Sequence, residues 1–174
     1  MKHKEILGLI LLACLFLIPL FKPGLYVSHD GDAHVARFAA YAQTFADGQF
    51  PARWAGNLNF GYGTPIFIFY YPLPGYVASV LHLFPLSFEN IYELLMAVSF
   101  IGGILTFFLW AKVLFNRHVA FIGAILYGFA PYHFLDIYVR GDIAEIMAFA
   151  FVPLVFFFIE QFLQKQTKMV SLLR

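Results

Sequence analysis

Charge is scarce in this chain: Asp, Glu, Lys and Arg make up 12% of its 174 residues, about half of what a water-soluble domain carries. Cysteine is scarcer. The single Cys14 lies in an apolar run and has no second cysteine to pair with, so it excludes an internal disulfide and gives no sign of redox compartment. No basic cluster is present and the net charge is +1, which argues against a nucleic-acid partner. No repeat and no low-complexity segment interrupts the sequence. What is abundant is apolar surface. Hydrophobic residues reach 61%, with 23 Phe and 10 Tyr. A soluble core of this size has no use for so many apolar rings, and the composition is that of a membrane protein.

The N-terminus has a basic start (Lys2, His3, Lys4) and an apolar run from Ile6 to Phe21. No small-x-small cleavage site follows; Pro19, Lys22 and Pro23 end the run. This is the pattern of an uncleaved signal anchor. A span needs about 20 apolar residues. Four segments qualify, at about 6–22, 89–111, 118–135 and 143–160. Within them, Val119–Leu135 is apolar apart from His133, and Ile143–Ile159 is apolar apart from Glu145.

A fifth run, Thr64–Leu86, has no charge but contains Pro65, Pro72, Pro74 and Pro85. Prolines in mid-helix remove hydrogen bonds and clash with the preceding turn. Loop charge arbitrates, because Lys and Arg concentrate on the cytoplasmic side. With four spans, Lys2, Lys4, Lys112, Arg117, Lys165, Lys168 and Arg174 lie inside, and Lys22, Arg37, Arg53 and Arg140 lie outside. A fifth span would leave only Lys2, Lys4 and Arg140 inside. The expected architecture is therefore all-α, with both termini cytoplasmic and a long outer loop at about 23–88. Thr64–Leu86 should stay at the outer face, with a short helix from about Pro74 to Phe84.

Within that loop, Phe38, Tyr41, Ala42 and Phe45 follow the spacing of one helical face. They predict an amphipathic helix over 33–47 along the membrane surface, with Asp32 as N-cap and Gly48 as its stop. Gln49–Pro65 is rich in Pro, Gly and Asn and should be irregular but constrained.

Two groups of polar residues can carry chemistry. The first is Ser28-His29-Asp30-Gly31-Asp32-Ala33-His34. Its carboxylates can act as a general base, or with the imidazoles bind a divalent metal, and Asp32 alone can be a helix cap. The second is His133, Asp136, Arg140, Asp142 and Glu145, at the outer ends of the third and fourth spans. Arg140 has the planar donor fork that suits a phosphate, or it pairs with Asp136 or Glu145. The rings Trp54, Phe60, Tyr62, Phe69, Tyr70, Tyr71 and Tyr76 suit a membrane interface, or stack on a sugar.

The order of these motifs resembles a known family. Asp30-Gly31-Asp32-Ala33-His34 is followed by Gly48-Gln49-Phe50-Pro51-Ala52-Arg53-Trp54, then Asn57-Leu58-Asn59-Phe60-Gly61-Tyr62-Gly63-Thr64-Pro65 and Phe69-Tyr70-Tyr71-Pro72-Leu73-Pro74. Ala130-Pro131-Tyr132-His133 and Tyr138-Val139-Arg140-Gly141-Asp142-Ile143-Ala144-Glu145 complete the set. The chain resembles the N-terminal part of bacterial polytopic membrane proteins labelled 6-pyruvoyl-tetrahydropterin synthase-related, although nothing in it is like a soluble pterin enzyme with a zinc site. That family is similar to the GT-C superfamily of membrane glycosyltransferases. The resemblance implies a GT-C-like domain continuing beyond Arg174, in a bacterial inner membrane. It implies transfer of a sugar from a polyprenyl phosphate-linked donor to an acceptor hydroxyl on the extracytoplasmic face. By position, Asp30 or Asp32 would be the catalytic base or metal ligand. Arg140 would bind the donor phosphate, with Glu145, His34, His133 and Asp136 in support. A lipid or sugar transporter would instead need polar groups deep in the spans, and a non-catalytic scaffold would tolerate Asp30→Asn and Asp32→Asn.

The charge balance makes a direct prediction. Reporter fusions near Asn57 should give an extracytoplasmic signal and fusions after Lys165 a cytoplasmic one; the reverse at Lys165 would eliminate the four-span topology.

Overall fold

A computed structural model describes residues 3–172, with side chains described for residues 4–166. Lys2, Arg174 and the side chain of Lys168, which entered the charge balance, lie outside the described residues. The elements are all helical: α1 (His3–Leu17), α2 (Gly31–Ala46), α3 (Ile66–Phe69), α4 (Leu73–Leu81), α5 (Phe88–Leu114), α6 (Arg117–Gly128), α7 (Pro131–Leu135) and α8 (Ile143–Leu172). Short 3-10 turns follow α1 and precede α3, and a π-helical turn covers Asp136–Arg140.

Four segments are long and apolar enough to cross a membrane: Lys4–Phe21, Phe88–Leu114, Arg117–Arg140 and Ile143–Gln166. They coincide with the four expected spans. Their flanks are rich in exposed large apolar side chains, among them Leu7, Leu11, Leu15, Ile122, Leu126, Val155 and Phe158. Lipid is the solvent that tolerates such a surface.

The chain divides into two compact units. One comprises Met1–Pro19, Ala97–Leu135 and Glu145–Arg174. Small residues let its helices approach closely, as is usual between helices in lipid. Gly103 sits against the Phe149 backbone, Gly102 against Ala150, and a Cβ at Gly128 would strike Ile104. Hydroxyls bind carbonyls across helices: Thr106 donates to Ala150 (2.9 Å) and Tyr127 to Phe149 (2.7 Å). Phe16 packs on Phe100, Phe129 and Phe134. Near the start of α1, Glu5 pairs with Arg117.

The other unit comprises Leu20–Met96 and Asp136–Ala144. Here α2 packs against α4. The face predicted from Phe38, Tyr41, Ala42 and Phe45 is real: protein covers Phe38 and Tyr41, while Ala42 and Phe45 line an open apolar hollow. Phe38 and Tyr41 are buried, and Tyr41, Ala40, Ala52, Ala55 and Phe67 form a small core flanked by Phe45 and Tyr76. The helix ends as expected. Gly48 has φ +80°, its amide binds the Phe45 carbonyl, and the Gln49 amide binds that of Thr44. That pair of bonds is a Schellman closure. The start differs by two residues. Asp30 holds the N-cap position without a side-chain cap bond, and Asp32 falls in the first turn.

Thr64–Leu86 forms no continuous helix. α3 stops at Phe69, Tyr70 is extended (φ −106°, ψ 150°), and α4 begins before Pro74. Proline at an early helical position wastes no amide, because that amide has no intrahelical partner in any case. Between α2 and α3, the Gln49 side chain accepts from the Arg53 and Trp54 amides (2.6 and 2.8 Å), and Ala55 pairs with Thr64. The segment is irregular and tied down, as predicted.

The α2–α4 contact depends on Gly75, where a Cβ would overlap the Tyr41 ring. Gly75→Ala should cost about 1–3 kcal/mol by overpacking, read as a lower thermal midpoint of the detergent-purified protein. Tyr41→Phe should be neutral or better, because the buried Tyr41 hydroxyl has no hydrogen-bond partner among the described residues.

Candidate functional site

The site is built around the end of the third span. A helix terminus leaves carbonyls without intrahelical partners, and in an apolar setting each must find one. The π-helical turn closes with the Gly141 amide on the Asp136 carbonyl (2.8 Å). The freed carbonyls are taken by the second unit's own residues. Tyr26 donates to Ile137 (2.7 Å), the His29 amide to Val139 (2.9 Å), the Asp30 amide to Arg140 (2.9 Å), and the Tyr92 hydroxyl to Gly141 (2.7 Å). Gly141 has φ +70°, and a Cβ on it would strike Ser28 and Tyr92. Only glycine fits there. This arrangement joins the first acidic turn to the second polar group although more than 100 residues separate them in sequence.

Side chains then form a continuous chain of contacts. Asp136 is fully buried and is paired with Arg140 (3.1 Å), which also reaches Asp142 (3.4 Å). Asp142 accepts from the Ala144 amide (2.9 Å), capping α8, and from the Tyr71 hydroxyl (3.3 Å). Tyr71 lies 3.4 Å from Nε2 of His34, and Arg37 lies 3.3 Å from Nδ1 of the same ring. A guanidinium only donates, so Nδ1 accepts and the neutral ring carries its proton on Nε2, towards Tyr71. The polarity of the chain runs Arg37 to His34 to Tyr71 to Asp142.

His34 is 3% exposed. Burial, and then the Arg37 charge, bring its pKa down from 6.5 to about 4, against the opposing pull of Asp142 and Asp30. Burial raises the Tyr71 pKa, so its hydroxyl keeps its proton. Arg37 also donates to Tyr70 (3.1 Å) and lies over its ring at 4.0 Å. It makes no ion pair with a carboxylate among the described residues, whereas Arg140 is engaged by two.

The remaining sequence candidates are placed as follows. Asp30 is half-buried beside this network, and its charge reaches His34. Asp32 is exposed and lines a separate hollow with Glu89 and Glu93. His29 is exposed; only its backbone is used. His133 belongs to the first unit, buried among Phe100, Tyr127 and Phe149. Glu145, in the same unit, accepts from Tyr132 (2.6 Å). Among the described residues no three His, Cys, Asp or Glu side chains are arranged to hold a metal ion. Asp30 and Asp32 face different surroundings, and they do not fit a shared metal.

Arg37 escaped the sequence reading, although it stands three positions after His34 on one helical face. Tyr71 stood there only as one ring among many. Tyr26 and Tyr92 carried no signal, because their task is to satisfy carbonyls that only the fold creates.

No family model, no curated protein and no solved structure matches this chain.

The neutral His34 makes stability depend on pH. Its folded pKa lies below the unfolded value, so the unfolded chain binds the proton more readily in acid. The stability it contributes is complete above about pH 6.5 and is lost progressively as pH falls to about 4, a loss of roughly 3 kcal/mol. Melting midpoints should fall across that window for the wild type, and the slope should flatten in His34→Gln.

Proposed function

We propose that this chain is part of a membrane glycosyltransferase that moves a sugar from a polyprenyl phosphate-linked donor to an acceptor hydroxyl at the extracytoplasmic face. The observation that carries the reading is that one neutral imidazole, His34, is held by Arg37 and felt by the half-buried carboxylate Asp30, while Arg37 makes no ion pair with a carboxylate among the described residues. The four apolar spans give a lipid-linked substrate its phase.

The reading assigns the roles as follows. The donor is anionic at its phosphate. Both ends of the Arg140 fork are held by Asp136 and Asp142, so the first contact to an incoming phosphate falls on Arg37. Arg140 positions the π-helical turn, and its own carbonyl accepts the Asp30 amide. Asp30 takes the proton of the acceptor hydroxyl as its oxygen attacks the anomeric carbon. The bond from that carbon to the phosphate oxygen breaks, and the polyprenyl phosphate leaves with its electron pair, stabilised by Arg37. His34 holds Arg37 at one nitrogen and Tyr71 at the other. No step is assigned to a metal.

A scaffold reading has one observation in its favour: the Asp136–Arg140–Asp142 group is satisfied within the protein and needs no ligand. The two readings separate by experiment. In detergent, polyprenyl phosphate should bind more tightly than the uncharged polyprenol. Arg37→Gln should weaken that binding roughly tenfold to a hundredfold, the worth of a charge-assisted hydrogen bond. Asp30→Asn should leave it intact and lower sugar transfer by about 10²–10⁴-fold. Equal binding of phosphate and alcohol, with no effect of Arg37→Gln, would favour the scaffold.

A further inference from the structure

A second polar hollow lies in the same unit and shares none of the Arg37–Arg140 network. It has a volume of about 360 Å³ and is lined by Gly24, Leu25, Asp32, Val35, Ser87, Glu89, Asn90 and Glu93. That is the size of a small-ligand pocket. Three of its side chains are carboxylates and none is a cation. Glu89 and Glu93 stand four residues apart on the first turns of α5, a spacing at which like charges repel. Glu93 is the telling residue. It is only 6% exposed, lines the hollow, and has no hydrogen bond or salt bridge to any described residue. Its oxygens are not among the fully buried, unsatisfied atoms, so what access they keep is at the hollow the residue lines, where a donor from outside can meet them.

We propose that this hollow binds the primary ammonium group of a small ligand, with Glu93 as the buried contact, Glu89 and Asp32 around it, and the Asn90 amide beside them. An ammonium fits better than a metal ion. Its N–H donors can be shared among acceptors spread round a hollow, whereas a directly bound metal needs ligands converging on one point, and these carboxylates do not converge as a metal site. Glu89 and Glu93 open a membrane-spanning segment, so the ligand is met at the depth of lipid headgroups. Two sources share the chemistry: the headgroup of an ethanolamine phospholipid and a free amine. The site stands whether or not the chain transfers sugars.

The test uses the full chain in detergent, titrated with ethanolamine, choline and magnesium chloride, with binding read by calorimetry and thermal midpoint. Ethanolamine should bind and raise the midpoint. Choline, equally charged but without N–H donors, should bind at least about tenfold more weakly. Magnesium should not substitute. Glu93→Gln should abolish the ethanolamine effect. Asp32→Asn, at an exposed position that leaves the fold intact, should weaken it by a smaller factor. In nanodiscs, stabilisation by phosphatidylethanolamine over phosphatidylcholine assigns the ligand to lipid; equal midpoints, with ethanolamine still binding, assign it to a free amine. Choline binding as well as ethanolamine, magnesium alone protecting, or an ethanolamine effect unchanged in Glu93→Gln would overturn the proposal.

Discussion

Everything at the candidate site depends on one constraint: the carbonyls at the end of the third span have no helix to bind them. The π-helical turn at Asp136–Arg140 spends one on the Gly141 amide and leaves those of Ile137, Val139, Arg140 and Gly141 to be met from elsewhere. In water the solvent would do this. Beside lipid, each unmet group costs several kcal/mol. The segment from Tyr26 to Asp30 and the Tyr92 hydroxyl supply the missing donors. Their own positions are thereby fixed, and Asp30 is held by its backbone and not by its side chain. A carboxylate positioned this way keeps its oxygens available for chemistry. Had it served as a side-chain helix cap, they would have been occupied.

The same constraint explains Gly141. The turn needs a residue at positive φ with no Cβ, because Ser28 and Tyr92 occupy the space a side chain would fill. It also explains why Asp136 is tolerated with no exposure. An isolated buried charge is prohibitive. Arg140 pairs with it one turn later and reaches Asp142 beyond the glycine. With two carboxylates on one guanidinium this group is net negative, and an anionic ligand would have to break it open. Arg37 makes no ion pair with a carboxylate among the described residues, which is why the proposed anion contact is assigned to the helix that carries His34.

The architecture was legible because apolar length and proline placement are local facts. Pro72 and Pro74 end α3 and admit α4 as the sequence requires, and the four charge-poor runs become four helices long enough to span. Gly48 stops α2 for a reason visible in its residue type. The N-terminus of α2 was ambiguous because Asp30 and Asp32 are equally good caps on paper; the backbone bond from Asp30 to the Arg140 carbonyl decides between them, and no local pattern contains it. The distribution of roles in the site was hidden for the same reason. Asp30 and Asp32 look like a pair in sequence, yet one is the N-cap before α2 and the other lies in its first turn. One faces the His34 network and the other the acidic hollow.

That separation bears on how an acidic motif at a membrane mouth should be understood. Two aspartates bracketing a glycine invite a single shared task, such as a metal. Here Asp30 precedes α2 as its N-cap, while Asp32 is exposed in the first turn and lines a different hollow. The motif is better described as two sites that happen to be adjacent in sequence. One carboxylate lies within electrostatic reach of the neutral His34 imidazole, a setting for a proton. The other lies among carboxylates, with Glu93 buried and unmet, a setting for a cation. The two settings share no side chain, so a ligand at one, as proposed, would not have to displace a ligand at the other.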